Sequence, residues 1–286
     1  MIRVMPAVFV LIWSTGFIVA RYGMPHAPPF KFLAIRYTLS IACFLLWIVL
    51  ARVKWPTHPK QWAHLAVTGV FMHACYLGGV WAAVKLGMGS GLSSLIVGLQ
   101  PVLTALWLAS TGNRILPRQW IGLVLGFLGL VMVVSRKFGA GGEANWLNIS
   151  LATGALLSIT IGTLYQKRFV KSCDVRTANT VQLMAALVVT LPLAALELEA
   201  IRWNGELIGA IAWSVLALTL GGSSLLYLLI QKGAAASVAS LMYLVPPVTA
   251  FIAWLLFAEP ITLATVLGTM LTALGVALVV WQPKYG

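Results

Sequence analysis

The side chains able to do chemistry are few in this sequence, and they lie singly inside long apolar runs. Of 286 residues, 9% are charged and 60% are hydrophobic. An apolar cavity with a few convergent polar groups is the usual form of a small-molecule site. The candidate cavity residues are therefore the polar and aromatic residues near the centres and ends of these runs: Trp13, Arg36, His73, Tyr76, Gln100, Thr160, Tyr165, Ser223, Tyr227 and Tyr243.

Each candidate also has a purely structural interpretation. Trp and Tyr side chains often pack within helix bundles or sit at interfaces, and His73 could be a neutral imidazole bonded to a backbone carbonyl. The amide of Gln100 needs a partner or water at that depth. Arg36 lies about 10 Å along its predicted helix, measured from the outer end of that helix. It could extend to the surface or face the carboxylate of a ligand.

Several kinds of chemistry are not expected. His26, His58, His64 and His73 lack metal-ligand spacing with acids, so we predict no metal site and no cofactor. The three cysteines have no CxxC spacing, which argues against a disulfide framework. No acidic cluster suits magnesium-diphosphate chemistry, and no nucleotide-binding loop is found. An enzyme and an ATP-driven pump are therefore not expected.

The composition indicates an integral membrane protein. The mean hydropathy is +0.96. Only 9% of the residues are charged, whereas soluble domains carry about 25% charged residues. A net charge of +13 could suggest nucleic acid. However, the basic residues are scattered between apolar runs, without a basic stripe. They fit loops that face an anionic leaflet, so we expect a lipid bilayer and no nucleic acid as partner.

Windows of about 20 apolar residues predict roughly ten transmembrane helices and an all-α fold. The first run resembles a signal peptide but has no small-x-small cleavage site, so we predict a helix that is retained. The loops and tails on the side of the two termini hold about twice as many Lys and Arg residues as the loops on the other side. Because basic residues concentrate on the cytoplasmic side, both termini are predicted to be cytoplasmic. The predicted spans are 4–22, 30–51, 62–84, 89–111, 119–136, 147–168, 175–197, 207–231, 235–257 and 262–281.

The two halves of the chain align with each other at an offset of about 146 residues. Pro101 then falls on Pro247, Gly122 on Gly268, and Arg36 on Gln182. We predict two five-helix repeats, 1–140 and 141–286. An odd number of spans in each makes the second repeat inverted, as in many secondary transporters. Pro101 and Pro247 lie within predicted spans, where they could act as hinges or simply pack as static kinks.

The segment GLVLGFLG (122–129) carries a small-xxx-small pattern, which Gly268, Thr272 and Gly275 repeat in the last span. Such patterns allow two helix backbones to approach closely. Packing within one chain and dimerisation both use this pattern. We favour packing within the chain and expect a functional monomer.

The segment KGAAASVASLMYLVPPVTAFIAWLLFAEPITLATVLGTMLTALGVALVV (232–280) resembles the C-terminal signature of the EamA family in the drug/metabolite transporter superfamily. The opening segment LIWSTGFIVARYGMPHAPPFKFLAIRYTLS (11–40) resembles the first two helices of the same family. The resemblance covers nearly the whole chain. It implies an exporter of amino acids or other metabolites, such as the YddG-type exporters of aromatic amino acids.

Pattern and resemblance together predict an exporter in a bacterial-type inner membrane. The expected substrates are small neutral or zwitterionic metabolites, above all amino acids, which include aromatic and apolar ones. Alternating access would take place around a cavity at the membrane midplane. A channel-like pore is the alternative, and a membrane-embedded transferase is a more remote one. Because no carboxylate lies near the centre of a span, we expect facilitated diffusion or exchange. Glu259 is expected to end helix nine at the outer surface. An ion-coupling acid or an outer gate is the alternative, and it is disfavoured because Asn113 occupies the equivalent place in the first half.

Overall fold

A computed structural model describes residues 5–110, 116–137, 143–231, 244–259 and 261–280, and the regular elements in these ranges are helices. The all-α prediction is confirmed for this part of the chain. The α-helices are α1 (Met5–Gly23), α2 (Pro29–Leu50), α3 (Pro59–Gly69), α4 (Tyr76–Lys85), α5 (Ser90–Val97), α6 (Gln100–Ser110), α7 (Pro117–Lys137), α8 (Trp146–Phe169), α9 (Val175–Leu196), α10 (Gly205–Trp213), α11 (Ser224–Gln231), α12 (Val245–Phe257) and α13 (Leu263–Val280).

Two segments of π-helix, which the sequence did not predict, interrupt otherwise continuous spans. The segment π1 (Val70–Cys75) joins α3 to α4, and π2 (Ser214–Ser223) joins α10 to α11. A shift of 146 residues places π1 inside π2. Wider helical turns of this kind are frequently found at functional sites. Both π-segments contribute residues to the cavity described below.

The break between α5 and α6 lies next to the start of α12 in the interior. The predicted span 89–111 is broken at 98–99, and Pro101 is the second residue of α6. Pro247 lies in the first turn of α12. Both prolines are thus at helix starts, where a missing N–H costs little, rather than inside a continuous helix. A Cβ atom added to Gly98, the C-cap residue of α5, would lie 2.7 Å from Cγ of Pro246, so the break between α5 and α6 is in close contact with the start of α12.

The small-residue pattern packs two helices of one chain. Helices α7 and α13 lie side by side. A Cβ atom on Gly275 would lie 2.5 Å from the carbonyl oxygen of Gly122, and one on Gly268 would lie 2.7 Å from that of Gly129. Thr272 Oγ1 donates a hydrogen bond to the carbonyl of Gly268, four residues earlier in the same helix, at 2.9 Å. The prediction of packing within the chain is confirmed.

The length and hydropathy of the helices suit a membrane. Among the described residues, seven stretches are long and apolar enough to cross a bilayer, and three shorter apolar helices accompany them: Val8–Gly23, Val245–Phe257 and Leu263–Leu278. The number of ten spans stays a prediction. Burial separates central from peripheral spans, since 61% of the apolar window in Pro59–Lys85 is buried against 28% in Pro117–Ser135.

A buried carboxylate ties the two halves of the chain together at one end of the bundle. Glu259, which is 6% exposed, follows the end of α12. Its Oε1 accepts a hydrogen bond from the backbone N–H of Ser90 at 3.0 Å and lies 3.2 Å from Nη1 of Arg21. Glu259 therefore does more than end a helix, because it also caps α5.

Candidate functional site

A cavity lies at the centre of the bundle, between α1, α2, the two π-segments and the helices that flank them. It encloses about 660 Å³ of space not filled by protein atoms, its opening included. Its walls are mainly apolar and aromatic, with a small polar set made of Arg36, His73, Gln166, Asn179, Gln182 and Ser223.

The two halves of the sequence contribute matching positions to this cavity. Residues 146 apart in the chain line it together, so that a position in one half and its counterpart in the other face the same space. A cavity built in this way lies where the two halves meet. The pairs are Arg36 and Gln182, Met72 and Leu218, Leu77 and Ser223, Val80 and Leu226, and Trp81 and Tyr227.

Arg36 is the cation of the cavity wall. It lies on α2, is 4% exposed, and donates a hydrogen bond from Nε to Oγ1 of Thr219 at 3.0 Å. Thr219 belongs to π2 and in turn donates to the carbonyl of Ser214. Within the described ranges no carboxylate lies within 4 Å of the guanidinium. Arg36 is therefore held in the interior and does not extend to the bundle surface.

Two aromatic rings form a wall of the cavity. Trp13 on α1 and Tyr76 at the start of α4 stack with ring centroids 6.4 Å apart and planes 4° from parallel. Phe9 packs against Trp13 from behind, with ring centroids 5.1 Å apart. Ring faces of this kind can contact apolar side chains and cationic groups of a ligand.

A line of amides, which the sequence analysis missed except for Gln182, forms the other polar part of the cavity. Gln182 lines the cavity together with His73, and its Nε2 donates to Oε1 of Gln166 at 3.4 Å. One turn away on α9, Asn179 donates from Nδ2 to the carbonyl of Val175 at 2.8 Å. Its Oδ1 is buried without a hydrogen-bond partner in the described part of the chain. The available signal was the i, i+3 spacing of Asn179 and Gln182.

The model of the EamA-like transporter family matches the chain twice, at residues 4–135 and 146–281. The chain belongs to the EamA-like transporter family. It is a multi-pass membrane protein of a transporter family, and membership of that family argues against an enzyme. The predicted EamA resemblance is confirmed, and the family implies a two-repeat architecture.

Relatives in several organisms resemble this EamA-like transporter. The uncharacterized transporter YvbV of Bacillus subtilis (strain 168) is 27% identical, over 97% of this chain and 91% of the relative. An uncharacterized transporter of Archaeoglobus fulgidus is 25% identical, over 96% of each chain. A probable amino-acid metabolite efflux pump of Escherichia coli (strain K12) is 24% identical, over 66% of this chain and 61% of the relative.

A solved crystal structure shares the fold of this EamA-like transporter. The two superpose with a TM-score of 0.71, over 96% of this chain and 94% of the other. At 18% sequence identity, the similarity supports the fold alone.

The cavity of this EamA-like transporter contains six of the ten predicted residues: Trp13, Arg36, His73, Tyr76, Ser223 and Tyr227. Three others are not among the residues that line it. Gln100 donates to Oγ1 of Thr163 at 3.0 Å, and the Thr160 hydroxyl donates to a carbonyl of its own helix. The Tyr165 hydroxyl bonds to Nδ1 of His64 at 2.8 Å. Tyr243 lies outside the described residues.

No group of three His, Cys, Asp or Glu side chains within the described ranges could hold a metal ion. The groups that line the cavity are a guanidinium, amides, hydroxyls and aromatic rings. These groups can bind and orient a small solute by hydrogen bonds and apolar contact.

Proposed function

We propose that this EamA-like transporter exports small neutral or zwitterionic metabolites, above all amino acids, from a bacterial-type cell. The observation that carries the proposal is the central cavity, whose lining combines paired positions from both halves of the chain. Transporters built from repeats bind their substrates at the place where the repeats meet. We place both termini in the cytoplasm and expect the monomer to be functional.

The chemistry of the cavity supports an amino acid as the substrate. A guanidinium and several amides can bind the polar groups of the solute, and Trp13, Tyr76 and Trp81 can contact its side chain. Apolar side chains such as those of Leu and Met fit such a wall as well as aromatic ones do. Two relatives, of Escherichia coli and Salmonella typhimurium, are described as probable amino-acid metabolite efflux pumps, which agrees with this substrate class.

We propose that transport proceeds by alternating access, with the repeats 1–140 and 141–286 inverted relative to each other. The contact between Gly98 and Pro246 joins the break between α5 and α6 to the start of α12 in the interior. Pro101 and Pro247 lie next to this contact, at helix starts that hold fewer backbone hydrogen bonds than a helix interior, so the adjoining turns can change angle at low cost. We therefore keep both prolines as candidate hinges.

Facilitated diffusion or exchange is the mode of transport that the cavity favours. No Asp or Glu is found among the described residues that line it, whereas carriers coupled to protons or sodium commonly use an intramembrane carboxylate. Proteoliposomes with an imposed proton gradient and no substrate gradient would test this. Uphill uptake driven by that gradient would contradict the proposed mode.

The proposed function can be tested with a panel of the twenty amino acids on the purified protein. Thermal shift measures binding and proteoliposome flux measures transport. We expect at least one amino acid to raise the melting temperature and to be exchanged, and His73→Ala to reduce both effects because His73 lines the cavity. His58→Ala is the matched control, because His58 is an exposed loop residue. The function proposed would be wrong if no amino acid binds or exchanges.

A further inference from the structure

Arg36 carries a buried positive charge that the described part of the protein does not neutralise. Its Nε is bonded to Thr219, and neither Nη atom has a hydrogen-bond acceptor or an acidic partner among the described residues. Removing a cation from water without a counter-charge is unfavourable. Because the guanidinium lines the cavity, an anionic group bound there would supply the missing charge. A carboxylate has the planar, two-oxygen geometry that suits the two Nη atoms.

Asn179 presents the complementary group, a buried acceptor without a donor. Its Nδ2 is bonded to a carbonyl of its own helix, which fixes the side chain, and its Oδ1 has no partner in the described ranges. The residue is 1% exposed and lines the same cavity as Arg36. Leaving a buried acceptor unpaired is also unfavourable. A ligand with a strong N–H donor, such as an ammonium group, would satisfy it.

We propose that the cavity binds amino acids as zwitterions, with the carboxylate on Arg36 and the ammonium group on Oδ1 of Asn179. This inference rests on the proposed function and names the substrate groups that the site recognises. The neutral acceptor at Asn179 fits a solute with no net charge, since an acidic residue in its place would attract simple amines. The Trp13 and Tyr76 rings are left to contact the side chain of the amino acid.

This arrangement ranks ligands by the groups they carry. L-leucine satisfies both sites, 4-methylpentanoate lacks the ammonium group, and isoamylamine lacks the carboxylate. We expect leucine to bind best and 4-methylpentanoate more weakly. Isoamylamine should not bind, because it leaves Arg36 without a counter-charge and adds a second cation to the cavity.

The test uses the full chain, with thermal shift to measure binding and proteoliposome counterflow to measure transport. The variants are Arg36→Met, Arg36→Lys and Asn179→Leu, with Arg202→Met in an exposed loop as the control. Arg36→Met should weaken leucine binding about 10- to 100-fold, as expected for a lost charged hydrogen bond. Arg36→Lys should retain part of the binding. Asn179→Leu should reduce leucine binding to the level of 4-methylpentanoate and leave the latter unchanged.

The melting temperature without ligand separates a binding role from a structural one. Removing an unneutralised buried charge should leave the Arg36→Met protein as stable as the wild type, or more so. Three results would overturn the inference: leucine stabilises Arg36→Met as it does the wild type, leucine fails to stabilise the wild type, or isoamylamine equals leucine. Unchanged leucine binding by Asn179→Leu would overturn the ammonium site.

Failure of the proposed function has a different signature. In that case the wild type shows no counterflow with any amino acid, whatever the thermal shifts are. If counterflow occurs and Arg36→Met does not alter it, the function stands and the zwitterion site is wrong.

Discussion

The carboxylate of Glu259 accepts a hydrogen bond from the backbone N–H of Ser90, 169 residues earlier in the chain, at 3.0 Å. Its Oε2 also accepts from the N–H of Gly91 at 3.3 Å, and Oε1 lies 3.2 Å from Arg21. A negative charge at the N-terminus of α5 compensates its unpaired N–H groups and the positive end of its dipole. The interaction joins α1, α5 and the end of α12.

Glu259→Ala should reduce the free energy of unfolding by about 1.5–3 kcal/mol, because it leaves two N–H groups and Arg21 without their acceptor. Glu259→Gln should cost less, since one amide oxygen can still cap the helix. Thermal unfolding in detergent measures both changes. Glu206→Ala is the control, because Glu206 pairs with His26 at 2.8 Å but is 61% exposed. Equal losses for the two alanine variants would contradict the capping role.

Alanine at Gly268 or Gly275 should destabilise the protein by about 1–3 kcal/mol, as expected for overpacking. The added methyl groups would meet backbone atoms of α7 at less than 3 Å, and a backbone cannot move aside as a flexible side chain can. Gly154→Ala in α8 is the matched control, because no atom lies within 4 Å of its added Cβ. That variant should gain about 0.5–1 kcal/mol from helix propensity. Melting temperatures that fall equally for all three variants would contradict close packing of α7 and α13.

Asp174 should make stability depend on pH in the acid range. Its side chain caps α9, and hydrogen bonds from the Arg176 side chain, followed by one from the Arg176 backbone, hold its pKa below the usual value. A lowered pKa gives stability that is fully present above about pH 4, the value for an unfolded Asp, and is lost as the pH falls through the folded pKa. Asp174→Ala should cost about 1 kcal/mol at pH 7.

Asp174→Asn separates the cap from the charge. It keeps an oxygen that can accept from the backbone of Arg176, so it should cost less than Asp174→Ala at pH 7. The difference between wild type and Asp174→Asn should shrink as the pH falls below about 4. Chemical unfolding at several pH values measures this, and a difference that is independent of pH would contradict the charged interaction.

The predicted orientation can be tested by labelling single cysteines in intact cells. In a background without Cys43, Cys75 and Cys173, Leu198→Cys should react with a membrane-impermeant maleimide, since it is exposed in a loop predicted to be outside. Lys54→Cys, in a loop predicted to be cytoplasmic, should react only after the membrane is opened. The reverse pattern would place both termini outside.

The sequence predicted the features that depend on local or periodic pattern. Apolar run length predicted an all-helical membrane protein, and the glycines at matching positions predicted close helix packing within the chain, which α7 and α13 show. The same repeat offset paired Arg36 with Gln182, and both residues line the cavity. Such features are readable because a helix places its side chains at fixed angles, whatever packs against it.

Features that depend on tertiary contact were not predictable. The π-segments leave no clear periodic signal, because each is a short stretch of wider turns inside a span that is otherwise α-helical. The partners of Glu259 lie in the other half of the chain and depend on how the two halves pack. The sequence alone therefore indicated only that Glu259 ends a helix. Gln100 and Tyr165 were predicted to line the cavity because each is polar within an apolar run. Each instead forms a hydrogen bond with a residue that does not line the cavity, Thr163 and His64 respectively.

We propose that this EamA-like transporter is a carrier that exchanges amino acids through its central cavity. Counterflow in proteoliposomes tests it most directly, with unlabelled amino acid inside and a trace of the labelled form outside. A carrier with alternating access predicts transient accumulation of label above its equilibrium level and saturation with external substrate. Label that only equilibrates, at a rate proportional to its concentration and independent of the internal amino acid, would contradict the claim and indicate a pore.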